Sequence, residues 1–209
     1  MQRFCQSCCV AVLSLLGGSG CFSSFQKAKF NGGLGVEEEL LLAVPFSHRK
    51  ESRWYGESED GGTVIQAFKV WARKEASPNF AEGEDADAIL RQVRDWPQKE
   101  IRAKEWQKLT AGTTIKYVLY GEIESDSFTK KNRVGLIEPS ITASYRLIDV
   151  QSGKKVFEEE KFELDYSKGR ETDFLTLDFD SNLAAARTRL LTALGEQVGK
   201  DLYGYYKKW

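Results

Sequence analysis

The sequence predicts an α/β fold: a mixed sheet with helices on its faces, in which parallel core strands are followed by an antiparallel hairpin and a C-terminal helix. Three observations point there. Residues 113–124, TTIKYVLYGEIE, are apolar on both alternating faces, with Ile115, Tyr117, Val118, Leu119 and Tyr120 broken only by Lys116. Such a strand suits the middle of a sheet covered on both sides. Residues 39–46, ELLLAVPF, repeat the pattern, and the helical periodicities between the two runs supply a crossover that would make them parallel. Beyond them, residues 141–150 and 155–166 flank Ser152-Gly153, a turn signal for a hairpin.

A chain of 209 residues suits one domain of ordinary size plus an extra segment. With 41% hydrophobic and 29% charged residues it can bury a core, which argues against extended disorder. Net charge is −1, so no basic field is available for a nucleic-acid backbone. No repeat period is visible, which removes solenoids and propellers.

The extra segment is N-terminal. All four cysteines, Cys5, Cys8, Cys9 and Cys21, fall in the first 21 residues, and the only histidine is His48. A metal site would need a second ligand cluster, so no metal or cofactor is expected. Arg3 supplies a positive start and residues 9–16, CVAVLSLL, an apolar run too short to span a bilayer but long enough for a signal sequence. Gly17-Gly18-Ser19-Gly20 then precede Cys21, an arrangement that resembles the lipobox of bacterial lipoproteins, although Gly18 stands where that pattern has leucine. The expectation is a signal peptide over 1–20 and lipidation of Cys21, with membrane attachment on the periplasmic side of the envelope. Cleavage by an ordinary signal peptidase or a retained N-terminal anchor is the other reading, and both send the domain out of the cytoplasm. Residues 22–36 are polar and Gly-rich and read as a flexible tether, so that 21–38 link the anchor to a single domain over 39–209.

Within that domain, Pro45 ends the first strand because proline cannot donate to a ladder. Residues 47–62 form a long polar loop carrying Trp54 and Tyr55. A helix is expected over 63–75, where Val64, Ile65, Phe68, Trp71 and Ala72 share a face, with Asp60, Gly61 and Gly62 making the turn into it. Phe80 suits a short edge strand. Helices over 85–93 and 98–110 are separated by Trp96-Pro97, and Gly112 stops the second. The core strand follows, its exit toward solvent marked by Glu122 and Glu124. Last comes a helix capped by Asp180 or Ser181, with Leu183, Ala186, Leu190, Leu194, Val198 and Leu202 as a core stripe.

Several phrases resemble a loose group of envelope proteins: Ala43-Val44-Pro45-Phe46 closing the first strand, the Trp106 to Gly112 helix stop running into Tyr117-Val118-Leu119-Tyr120-Gly121-Glu122-Ile123, and Ile148-Asp149-Val150 with Ser152-Gly153. The group comprises the amino-terminal domain of the translocation protein TolB, the lipoprotein activators of penicillin-binding proteins, and the curli secretion lipoprotein CsgG. The similarity covers roughly residues 39–203. It implies an α/β domain with a mixed sheet and no catalytic centre, and it transfers no functional residue.

Candidate chemistry is sparse. Ser47-His48 could pair a nucleophile with a base, but a triad also needs a carboxylate and an oxyanion hole, and adjacent residues rarely face one another. His48 is therefore expected on the surface of a charged loop. Glu82, Glu84, Asp85 and Asp87 lack a calcium-loop pattern and suit a helix start. If the two core strands are parallel, one edge of the sheet gathers Arg53, Trp54 and Tyr55 with Lys130, Lys131 and Arg133, a partner-binding candidate at the edge where open α/β sheets hold ligands. The function expected is a lipid-anchored, non-enzymatic envelope module that binds an unidentified envelope protein. The alternatives are a small-ligand-binding domain or hydrolase using that edge, or an oligomeric secretion subunit. For a pore, the charges at Arg146, Lys155, Glu158 to Lys161 and Glu163 would be costly on a lipid face.

Overall fold

The computed structural model describes residues 23–30, 34, 40–49, 59–94, 101–129, 137–165 and 179–208. Strand Ser23–Gln26 (β1) comes first, followed by Leu40–Ala43 (β2) and the two-residue Ser47–His48 (β3). Three helices follow, Glu59–Glu75 (α1), Glu84–Arg94 (α2) and Ala103–Leu109 (α3). The long strands Ile115–Thr129 (β4), Ile137–Asp149 (β5) and Lys154–Asp165 (β6) lead to helix Phe179–Tyr203 (α4) and strand Tyr205–Lys208 (β7).

The main sheet has the order β2-β4-β5-β6, with β3 also pairing β4. Both β2 and β3 are parallel to β4, while β4-β5 and β5-β6 are antiparallel. This is the mixed sheet the sequence predicts. Pro45 interrupts the edge only briefly: the Val44 amide still donates to the Leu119 carbonyl at 2.9 Å, and pairing resumes at His48 opposite Ile123. Phe80 bridges Leu41 in the expected edge position.

Alternation along β4 builds two cores. Leu119 and Ile123 join Leu41, Ala43, Tyr145 and Leu147 under α1 and α4. Val118 and Tyr120 join Leu42, Val44 and Ile148 against α2 and α3. Three layers result, with β4 sealed on both sides over its first half. Each leucine so buried contributes roughly 1.5–3 kcal/mol.

Helices α1 and α4 run in the same direction, because Asp60 meets Arg187 near their starts and Trp71 meets Gly199 near their ends. Their approach is too close for a side chain at Gly195, where a Cβ would lie 2.3 Å from the Val64 carbonyl oxygen. Glycine at that position is therefore a packing requirement, and the helix stripe read as a core face is one.

Five expectations are corrected. The stretch read as a tether enters the fold: β1 pairs antiparallel with β7, and Phe30 and Leu34 are buried in the core under α1 and α4. Helix α1 begins at Glu59, so Asp60, Gly61 and Gly62 are helical. Gly61 permits this by pressing against Phe46, where a Cβ would sit 1.8 Å from the carbonyl oxygen. Strand β4 continues through Glu122 and Glu124 to Thr129. These acids stay in the ladder because Arg49 and Ser144 satisfy their carboxylates on the sheet face. Finally, Asp180 and Ser181 lie inside the first turn of α4, which begins at Phe179, so neither is its cap. Helix α3 is shorter than expected; it starts after Arg102, whose backbone N–H donates to the Glu105 carboxylate at 2.6 Å.

Candidate functional site

The parallel pairing of β3 with β4 places the departures of two loops on one edge of the sheet, at Arg49 and Thr129. Thr129 lies about 20 Å farther along the extended strand than Ile123, the partner of His48, so the departures are staggered. The candidate residues Arg53, Trp54, Tyr55, Lys130, Lys131 and Arg133 lie outside the described residues, as does Cys21. What the structure describes of this edge is its floor.

The floor overturns the expected position of His48. Instead of sitting on the surface, it is 3% exposed. Its Nε2 lies 3.7 Å from Asp126 Oδ1 on β4 and 4.0 Å from Asp60 Oδ2 in the first turn of α1. Asp60 in turn accepts from Arg187 of α4, at 3.1 Å from Nε and more closely from a terminal guanidinium nitrogen. His48 thus sits where β3, β4, α1 and, through Asp60, α4 converge. Burial follows from β3 continuing the ladder, which turns a residue of a charged sequence stretch inward. Neighbouring strand residues point to opposite faces, and Ser47 accordingly directs its hydroxyl to the Gly121 carbonyl at 3.4 Å. No Ser–His couple forms. Sequence reading missed Asp60, Asp126 and Arg187, and the only available signal was an acid beside paired glycines ahead of an apolar helix.

Outside this floor, Arg49 donates from Nε and a terminal nitrogen to Glu122, at 3.1 and 3.2 Å, and lies 3.6 Å from Glu124. The hydrogen bonds to Glu122 raise the guanidinium pKa further above its usual range. The neighbouring hairpin is charged in a paired way: Glu158 accepts from Arg146 and Lys155. Against the cost of burial, those two bonds hold its carboxyl below the usual range.

A cleft of about 360 Å³ opens beside Asp60 and Arg187, lined also by Glu59, Thr63, Thr188 and Leu191. A wider groove of about 720 Å³ runs on between α1 and α4 past Gln66, Val70, Trp71, Lys74 and Glu196. Among the described residues, no group of three or more His, Cys, Asp or Glu is placed to hold a metal ion. Nor is any helix among them long and apolar enough to cross a membrane.

The opposite end of α4 holds a second buried polar cluster. Asp201, 3% exposed, accepts from the Tyr145 hydroxyl through Oδ2 and from Gln197 at 2.8 Å through Oδ1. Lys29 lies 3.1 Å from Asp201 and 3.0 Å from Glu159, and the Phe30 amide donates to the Asp201 carbonyl at 3.0 Å. Burial, followed by the Asp201 hydrogen bond, pushes the Tyr145 hydroxyl far above its ordinary pKa. Desolvation pulls Lys29 down, but its two carboxylate partners outweigh that and leave its pKa raised.

No family model matches the chain, and no curated protein matches it. Solved structures with a similar chain trace include the PelC dodecamer from Paraburkholderia phytofirmans, at 16% identity and a TM-score of 0.44 over 88% of this chain and 98% of that one. Lipoprotein GNA1162 from Neisseria meningitidis is 14% identical with a TM-score of 0.41, over 78% and 99% of the two chains. The LpoB C-terminal domain from Salmonella enterica is 12% identical with a TM-score of 0.41, over 65% and 87%. Likeness of this depth carries no functional residue to this chain.

Proposed function

We propose that this chain is a lipid-anchored, non-enzymatic cell-envelope protein that binds another envelope protein, exported to the periplasmic side and held there by acyl chains on Cys21. The observation that carries the reading is the distribution of cysteine, which is confined to the first 21 residues and ends directly after an apolar run and a series of small residues. The divergence of Ser47 and His48 supports a binding role over a hydrolytic one, since the Ser47 hydroxyl points to the Gly121 carbonyl while His48 faces carboxylates from two other elements.

The working surface of this proposal is the loop edge, with Arg53, Trp54 and Tyr55 from one loop and Lys130, Lys131 and Arg133 from the other. Aromatic residues beside arginine bury large areas while keeping polar tips, the composition of a binding hot spot. The test is crosslinking and pull-down from native membranes. Trp54→Ala with Tyr55→Ala should leave the melting transition unchanged and weaken capture at least about tenfold, roughly 1.4 kcal/mol. A large loss of stability, or unaltered capture, would return both aromatics to a structural role. For the anchor, a Cys21→Ser chain should leave the membrane fraction in a high-salt wash that the wild type withstands; equal release of both sinks the lipid reading.

The cleft beside Asp60 and Arg187 favours a second reading, a small-ligand-binding domain, because its volume lies within the range of ligand sites. Under that reading, small anions or cations should raise the melting temperature of the wild type and not of Arg187→Ala.

A further inference from the structure

We propose that the β1–β7 ribbon seats directly on an anionic lipid surface, as a second membrane contact beside the acyl anchor. The inference takes its place in the cell from the Cys21 reading, and its chemistry from the ribbon itself.

Position is the first argument. β1 begins at Ser23, and two extended residues reach at most about 7 Å. A lipid on Cys21 would therefore leave no tether, and the ribbon would meet the headgroups. Nor can the ribbon swing aside. Ser23 pairs with Lys208, Ser24 with Lys207 and Phe25 with Tyr206. Just behind them, Lys29 and Phe30 are bound to Asp201 at the end of α4. Gly204 closes the corner, where a Cβ would lie 2.6 Å from the Gln26 carbonyl oxygen.

Composition is the second argument. Residues 22–30 and 203–209 contain Lys27, Lys29, Lys207 and Lys208 and no acid, in a chain whose net charge is −1. Lys29 is engaged by Glu159 and Asp201, and Lys27, Lys207 and Lys208 add to the basic composition of the two stretches. The same two stretches carry Phe22, Phe25, Tyr205, Tyr206 and Trp209, and Phe25 is 51% exposed. Lysines interleaved with tyrosine, tryptophan and an exposed phenylalanine match the requirements of a lipid interface, where aromatic rings sit at headgroup level and ammonium groups meet phosphates. Acyl chains on Cys21 fix the chain to the bilayer without orienting it, so a basic aromatic patch next to the anchor has a physical use. Geometry then gives the patch a consequence: Arg187 and Asp201 are separated by about 21 Å along α4, so a ribbon on the membrane turns the loop edge away from it.

The experiment uses the full chain carrying Cys21→Ser, with vesicles of phosphatidylcholine alone or mixed with phosphatidylglycerol, so that it does not depend on acylation. Binding should favour the phosphatidylglycerol vesicles and weaken as salt is added. Lys207→Glu with Lys208→Glu should lower partitioning at least about tenfold, roughly 1.4 kcal/mol, with melting unchanged. If that pair perturbs folding, Lys207→Gln with Lys208→Gln provides the same comparison, and Phe25→Ser should weaken binding as well. Equal binding to both vesicle compositions, or binding indifferent to the lysine pair in a folded chain, overturns the ribbon proposal. Mass spectrometry of the membrane-extracted wild type separately decides the anchor, and a Cys21 without acyl groups would overturn that reading whatever the vesicles show.

Discussion

Two buried carboxylates at opposite ends of α4 are satisfied in different ways. Asp201 accepts two side-chain hydrogen bonds and faces an ammonium at 3.1 Å, and Tyr145, its main partner, is fully buried. Asp60 holds Arg187, whose side chain is 43% exposed, and sits at 4.0 Å from His48, beyond hydrogen-bond range. The first cluster fastens the N-terminal segment to the sheet and helix. The second fastens the floor beneath the loop edge, where water can replace part of what is lost. The comparison teaches that buried charge marks rigidity where the N-terminal segment docks and tolerance beneath the loop edge.

The largest break expected is Asp201→Ala, which strips the carboxylate from Tyr145, Gln197 and Lys29 together. Removing one partner of a buried, hydrogen-bonded charge costs about 3–5 kcal/mol, readable by urea denaturation. Residues 23–30 should also become accessible to trypsin at Lys27 and Lys29. Asp60→Ala should cost less, about 1–3 kcal/mol, because Arg187 can turn to solvent. Equal losses for the two variants would erase the distinction between the ends.

Tyr145→Phe sharpens the comparison by removing one hydroxyl while leaving Asp201 with Gln197 and Lys29. At neutral pH it should cost about 1.5 kcal/mol, the low end for a hydrogen bond to a charged group, because Gln197 and Lys29 still face Asp201. The pH dependence has a definite sign. Tyr145, by burial and then its bond to Asp201, and Tyr203, by burial, have folded pKa values raised above the unfolded value near 10. Lys29 is also raised, its carboxylate partners outweighing desolvation. Their stabilising contribution is complete below about pH 10 and is lost as pH rises, because the unfolded chain releases these protons first. Melting curves should fall on the alkaline side, less steeply in Tyr145→Phe, so that variant and wild type converge; parallel curves would remove Tyr145 from the account. The smallest effect belongs to Arg49→Ala. Its own side chain is half exposed and its pairs with Glu122 and Glu124 are screened, so its melting temperature should fall least of the four variants.

What the sequence by itself determined was everything written in short periods. The two-faced apolar run at Ile115 to Tyr120, the stripe from Ala186 to Leu202, the Ser152-Gly153 turn and the parallel relation of the first and core strands were legible, because alternation and helical spacing reflect which face meets a core. Only the tertiary structure decided the long-range polar matches. Lys29 meets Glu159 across 130 residues, Arg187 meets Asp60 across 127 and Tyr145 meets Asp201 across 56. No local pattern announces such partners: a lysine in a glycine-rich stretch and a histidine in a charged one look solvated until a distant acid is folded against them. For the same reason β1 was unreadable, since a four-residue strand without its partner at the other terminus has too few apolar residues to declare itself. Glu122 and Glu124 concealed the full length of β4, because a half-buried acid inside a strand declares itself only once folding brings a cation or hydroxyl to it, as Arg49 and Ser144 do here.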